Sequence, residues 1–434
     1  MLRELLAADN DALARPALPS VPLPLDPSLR TTGIDPAAAS VYGSKTYPSF
    51  LSFALEAPPD TAANTGPAEE VTERAGEEGE GEGMTTKVLI FKMREDLRQD
   101  QLVLQLVRVV DGLLKAAGLD LCLTPYRVLA TGMQEGIVEC VPGAVTIADI
   151  MARSTAATTP ATSSSSSSNT PSTSTSTSTS NRILAFRQQH QPRAGAPLGV
   201  QPAAMDAYVR SLAGYCVVTH LLGVGDRHLH NIMLSPTGAC FHIDFGFILG
   251  RDPKPVPRGP FRLAPAMVEG MGGREHPNFA RFKRLCVAAF TCLRGHARLL
   301  LGLLDLMVDA NLKDLCPNPG SGSAPPASST PATTTSAASS AVPGNGSIGG
   351  GAVVDRSQTL TGSSLGLSQQ PPPQQSHHPE AARVLARVER RFRLDLGDDE
   401  AALERHFVGL IHKALGALGP QVVEVLHNLA VIAK

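Results

Sequence analysis

The chain has 434 residues, with Gly 39, Pro 35, no tryptophan, 4% aromatic residues and a formal charge of −2. At roughly 150 residues per domain the length allows two or three domains, but three blocks carry too little apolar surface to offset the entropy of ordering them. Ala57–Thr85 (Pro/Gly/Glu-rich), Ser154–Ser180 (Ser/Thr runs) and Pro317–Pro379 (Pro/Ser/Thr/Gly/Gln-rich) are therefore expected to be disordered insertions, leaving one large two-lobed domain.

The first block nets −7, so the rest of the chain is mildly basic at +5. That balance suits an anionic membrane surface or phosphorylated ligands and falls well short of a nucleic-acid binder. Seven scattered cysteines without a C-x-x-C pair point to a reducing compartment, with neither a disulfide framework nor a zinc ribbon. Asp9 and Asp11 interrupt the N-terminus before a secretory signal develops, and no apolar run nears the roughly 18 residues of a spanning helix.

In chain order, Met1–Asp26 reads as a short helix and a Pro-rich connector. Phe50–Leu55 and Lys87–Lys92 read as strands flanking the acidic insertion, which lengthens a hairpin tip. Asp96–Ala117 is an amphipathic helix, because Leu102, Leu106, Val109, Val110, Leu113 and Leu114 recur at helical spacing. Tyr126–Thr131 and Gly136–Val141 read as strands, and Thr146–Met151 opens a helix cut by the Ser/Thr block. Met205–Leu222 is helical, Ile232–Ser235 and Ala239–Ile243 form a hairpin around Pro236-Thr-Gly238, and helices follow Asn278. Pro420 starts a last helix with Val422, Val425, Leu426, Leu429 and Ile432 on one face. A β-rich half thus precedes an α-rich half, with a cleft expected between them.

The densest chemical signal runs from Gly223-Val-Gly-Asp-Arg-His-Leu-His-Asn231 to Phe241-His-Ile-Asp-Phe-Gly-Phe247. An Asp and an Asn five apart, then a hairpin, then Asp-Phe-Gly, follow the logic of phosphoryl transfer. Two oxygen-bearing side chains hold a divalent cation across nucleotide phosphates, and a third polar group meets the acceptor hydroxyl. Read singly, Asp226, Asn231 and Asp244 are also ordinary turn residues. His228-x-His230 with Cys240-x-His242 has the spacing of a zinc site, although His242 alone reads as a structural histidine.

The inverted order Asp226-Arg227-His228 resembles the phosphatidylinositol 3/4-kinase superfamily, where protein kinases have His-Arg-Asp. Gly246-Phe-Ile-Leu-Gly-Arg-Asp-Pro-Lys-Pro255, Met267–Gly273, Asp96-Leu-Arg-Gln-Asp-Gln101, Leu123–Ala130, Ala213–Val218, Leu306–Asn311 and Phe392–Leu396 resemble the class III phosphatidylinositol 3-kinase catalytic domain. The resemblance implies an α+β, two-lobed protein-kinase-like fold. Residues 1–26 would be a remnant of a helical domain and linker, 27–141 a small β-rich N-lobe and 142–434 a larger α-rich C-lobe. The β-sandwich and most of the helical domain that usually precede such a unit are missing from this sequence.

The resemblance further implies transfer of the ATP γ-phosphoryl group to the 3-hydroxyl of phosphatidylinositol, with Mg²⁺ or Mn²⁺. Lys92 would bind the α-phosphate, Asp100 would orient Lys92, and Tyr126 would line the adenine pocket. Glu139 to Val141 would be the hinge, and Ser44 would sit in the loop over the phosphates. Asn231 and Asp244 would ligate the metal, with Asp226 or His228 taking the proton from the acceptor hydroxyl. Asp244–Gly273 would be the activation loop, whose Arg251, Lys254, Arg258 and Arg262 would meet the lipid phosphodiester. Endosomal and autophagic membranes, a kinase-like regulatory subunit and a beclin-type partner are implied in the same way. A related lipid 4-kinase, a Ser/Thr kinase of the superfamily and an inactive adaptor are the competing readings. Two departures stand out: Arg94 and Glu95 occupy positions where the family usually has Gly and Asp, and His230 stands where Asp is common.

Overall fold

The computed structural model of the protein describes residues 20–43, 47–56, 86–153, 182–253, 259–316, 379–417 and 419. The first 19 residues, the three insertions (the third except for its last residue, Pro379) and the helix expected from Pro420 lie outside them. Six strands build one antiparallel sheet: β1 (Val21–Leu23), β2 (Asp26–Val41), β3 (Ser49–Leu55), β4 (Thr86–Met93), β5 (Val128–Gly132) and β6 (Glu135–Glu139). Their order is β1-β2-β3-β4-β6-β5. β3 and β4 pair from Ser49 opposite Phe91 to Ala54 opposite Thr86. Alternation along them puts Leu51, Phe53 and Leu89 on one buried face with Leu23, Ala39 and Ile137.

The expected connector before Asp26 is corrected: Val21–Leu23 pairs with a long β2 that carries Pro27 and Pro36. Prolines break the strand pattern in sequence. β2 accommodates them through register shifts against β3, between Thr31 and Gly33 and between Asp35 and Ser40.

The helix α1 (Arg98–Ala116) begins where the Asp96 carboxylate accepts the Arg98 amide at 3.1 Å. Its stripe of Leu102, Leu106, Val110 and Leu114 is buried in a second, far larger core shared with the helical half. Around that core lie α2 (Ile147–Arg153), α3 (Arg182–His190), α4 (Pro202–Leu221), α5 (Pro265–Glu269), α6 (Pro277–Gly295), α7 (Ala297–Asp305), α8 (Pro379–Glu389) and α9 (Glu400–Gly416). Buried α4 is the axis. Its His220 ring meets Phe261, Phe290 and Phe407 edge-on at 6.2, 6.4 and 5.9 Å between centroids. A small sheet, β7 (Val145–Thr146), β8 (Ile232–Leu234) and β9 (Cys240–His242), carries the chemistry-bearing hairpin. At its tip Gly238 takes φ +92°, which a residue with Cβ disfavours. Among the described residues no single helix is long and apolar enough to cross a membrane.

Candidate active site

The hairpin register explains how two remote motifs meet. Ile232 pairs with His242, and the Ile243 amide donates to the Asn231 carbonyl at 3.1 Å, so Asn231 and Asp244 emerge at the same open end. Asn231 Nδ2 donates to the Asp226 carbonyl at 3.1 Å, which orients the side-chain amide with its oxygen on the other side. Asp226 and Asp244 both hold left-handed backbone, φ +47° and +59°, a strain typical of functional loops.

His228 Nε2 lies 4.0 Å from Asp226 Oδ2, in contact but beyond hydrogen-bond length. Arg227 fastens the arrangement by donating to the carbonyls of Gly225 (2.8 Å), Ile243 (2.8 Å) and Asp244. Nothing in the sequence beyond its place in the motif marks Arg227 for this role.

From the large sheet, β4 delivers Lys92, whose ammonium donates to Glu95 Oε1 at 3.1 Å. Burial pulls its pKa down, but Glu95, Asp100 and Asp244 outweigh burial and hold it above the ordinary value. The direct partner of Lys92 is thus Glu95, and Asp100 acts on it through space. Asp100 itself is buried and accepts the Phe245 amide at 2.9 Å. Burial first, then the charge of Asp244, pushes its pKa up to about 6. Gln99 donates to the Phe245 carbonyl at 2.8 Å, so α1 grips both sides of the residue following Asp244.

Tyr126 is buried with its ring edge-on to Phe241 at 6.1 Å. Burial raises its phenol pKa far above the usual value, and the charges of Asp100 and Asp244 add to this, so it stays neutral. At the hinge, the Glu139 amide donates to Arg127 O and the Cys140 amide to Val88 O, which withdraws both donors from a nucleotide. The Glu139 carboxylate bonds Lys87 Nζ and the Arg127 amide. Val141 packs half-buried against the large core. Ser44, Lys254 and Arg258 lie outside the described residues.

Two expectations change. Arg262 is only 7% exposed, so it is packed into the fold rather than displayed on the surface. Arg251 is engaged with the buried carboxylate of Asp314 at 3.3 Å and with the Lys313 carbonyl at 3.1 Å. The sequence reading assigns both to the lipid phosphodiester; the Arg251 partner is not legible there because Asp314 lies 63 residues further on. His242 stacks flat on Tyr215, 5.2 Å between centroids, and burial holds its pKa well below the usual value. Among the described residues no group of three or more His, Cys, Asp or Glu side chains could hold a metal ion.

The donor set suits a hard divalent cation completed by phosphate oxygens and water: one carboxylate, Asp244, and one amide oxygen, Asn231. The electrostatics agree, because the charge of Asp244 raises the cost of ionising Asp100, and a cation between the phosphates and Asp244 would relieve it. Comparison with known proteins adds an independent line. The family model of the phosphatidylinositol 3- and 4-kinases matches residues 87–315. The nodule isoform of phosphatidylinositol 3-kinase from Glycine max is 32% identical over 407 residues, covering 94% of this chain and 36% of that protein. Phosphatidylinositol 3-kinase pik3 of Schizosaccharomyces pombe is 34% identical over 414 residues, 95% of this chain and 37% of its own length. Phosphatidylinositol 3-kinase VPS34 of Arabidopsis thaliana is 32% identical over 407 residues, 94% and 36% respectively. The chain spans little more than a third of these curated relatives.

Proposed function

The chain belongs to the phosphatidylinositol 3- and 4-kinase family, and on that premise we propose that it transfers the γ-phosphoryl group of ATP to the 3-hydroxyl of phosphatidylinositol. The observation that supports this reading is the hairpin register that carries Asn231 and Asp244 to one end, with the charge of Asp244 acting on Lys92.

In this reading Lys92 exchanges its Glu95 partner for nucleotide phosphate, as a point charge on a strand end can. Asn231 and Asp244 would hold Mg²⁺ or Mn²⁺, which would supply charge neutralisation at the phosphates. Asp226 and His228 face the acceptor alcohol as a carboxylate–imidazole pair, and one of them takes its proton. Arg227 and Asp100 keep the Asp244 segment in place, so the rate comes from positioning and electrostatics without a covalent intermediate. Ser44 and the hinge from Glu139 to Val141 complete the nucleotide's surroundings. Lys254 and Arg258 are the cations left to meet the lipid phosphodiester. Action on endosomal and autophagic membranes, with a kinase-like regulatory subunit and a beclin-type partner, extends the same proposal through the resemblance to class III enzymes.

The test is labelled ATP with phosphatidylinositol vesicles, followed by separation of the 3- and 4-phosphate products. The wild-type chain should yield the 3-phosphate, and Asp244→Ala should lose roughly 10²–10³-fold in rate. Equal rates in the two proteins would remove the metal assignment. A 4-phosphate product or a phosphorylated peptide in place of lipid would move the chain to another branch of the superfamily.

A further inference from the structure

The segment that follows Asp244 runs back alongside the catalytic loop and is stitched to it. The Gly225 amide donates to Phe247 O at 2.8 Å, the Leu249 amide to Leu222 O at 2.8 Å and the Gly250 amide to Gly223 O at 2.9 Å. One further bond closes the seam: the Asp226 amide donates to the side-chain oxygen Oδ2 of Asp252 at 3.1 Å. A carboxylate accepting a backbone N–H is a charge-assisted bond, stronger than a neutral one.

The peptide groups around Asp226 form a node. Its amide is held by Asp252, while its carbonyl accepts Nδ2 of Asn231 at 3.1 Å and the amide of His228 at 3.2 Å. Asp226 also pays for left-handed backbone at φ +47°, so something must hold it there. The approach is close: a Cβ on Gly225 would lie 2.1 Å from the Arg251 carbonyl and 3.1 Å from Asp252 Oδ2.

Asp252 is in turn fixed from both sides. Pro253 follows it and restricts its backbone. Arg251 before it reaches Asp314, which is 2% exposed and also accepts the Ile248 amide at 2.8 Å and Gln99 Nε2 at 3.1 Å. The buried carboxylate of Asp314 thereby joins α1, the Asp244 segment and Arg251.

We propose that Asp252 is a positioning residue for phosphoryl transfer, with Arg251 and Asp314 as its anchor. Through the Asp226 peptide it sets the backbone of one candidate proton acceptor and the side-chain amide of one metal ligand. Arg251, read from the sequence as a cation for the lipid, and Asp252, to which the sequence assigns no role, serve the catalytic loop instead. This assignment rests on the function proposed above, and its test separates the two.

Asp252→Ala and Asp252→Asn are compared with wild type by amide hydrogen exchange across residues 223–231 and by kcat and KM for ATP on phosphatidylinositol vesicles. The alanine variant should exchange faster at this loop and lose about tenfold or more in kcat, the scale of one charge-assisted bond, with KM for ATP within about twofold. The asparagine variant keeps an acceptor oxygen and should recover most of both. If the alanine chain does not accumulate folded, Asp252→Ser, whose hydroxyl is too short to reach, takes its place. Unchanged exchange, unchanged kcat or an asparagine variant as impaired as alanine overturns the assignment. A wild-type chain silent on lipid removes the substrate reading, and the positioning role is then decided by loop exchange and by lipid-free ATP hydrolysis in the same variants.

Discussion

Lys92 and Asp226 belong to the sheet and the helical half respectively and are held by opposite means. Lys92 ends a strand whose sheet has a small core, and its partner is a side chain on the next turn of chain, in a pair whose members are 23% and 31% exposed. Asp226 belongs to a loop tied by backbone bonds to a neighbouring segment over a core that extends through all the helices. A side-chain pair can trade partners when a phosphate arrives. A strained peptide cannot, so its geometry is set before substrate binds. The comparison teaches that adaptability is concentrated on the nucleotide side and rigidity on the phosphoryl-acceptor side.

Gly225→Ala attacks the rigid side directly. The added methyl meets the Arg251 carbonyl, a backbone atom that cannot swing away, so the loop must shift. Misplacement near 1 Å costs about 10²-fold in rate, which labelled-phosphate incorporation would read, and a variant within threefold of wild type would break the comparison.

The core beneath that side should also make it sensitive to acid. Burial among the aromatic rings, with Arg391 adding to it, lowers the pKa of His220 to about 3 from an ordinary 6.5. Between those values the unfolded chain binds the proton and the folded chain does not, so stability is present above pH 6.5 and declines as pH falls. Wild type should lose up to about 1.4 kcal/mol per pH unit relative to His220→Phe in that window. Denaturant melts of both chains at pH 7, 6 and 5 measure it, and parallel curves would count against the assignment.

Glu95→Gln probes the adaptable side and should do least. A partly exposed pair is worth at most about 1 kcal/mol, so the melting midpoint should barely move. Without the competing carboxylate, KM for ATP should fall about two- to threefold. A rise in KM would mean that Glu95 holds Lys92 in its working position, and the two sides would then resemble each other.

The periodic parts of the molecule were legible in the sequence. Leucines at helical spacing announced α1, and the apolar runs of β3 and β4 announced their pairing across the acidic insertion. β2 was hidden because Pro27 and Pro36 belong to a bulged strand, whose tolerance of proline depends on neighbours no local pattern contains. In the site, the spacing of Asn231 and Asp244 about a short hairpin matches the backbone register that carries both to one end of it. The second roles of Gln99, Glu95, Arg251 and Asp252 were not visible, since each depends on a partner chosen by the fold. Asp314 is the clearest case: its three partners come from α1 and from two points after Asp244. A charged residue in a sequence shows its sign but not its company.

The first turn of α1 has a mechanical consequence. Gln99 and Asp100 hold the two peptide faces of Phe245, while the next residue, Gln101, accepts the Ala130 amide of β5 at 2.8 Å. Three successive side chains therefore couple the sheet to the backbone just past Asp244, like an axle pinned at both ends. A rotation of the sheet would therefore be passed through the first turn of α1 to the peptide next to Asp244 rather than absorbed in a loose loop.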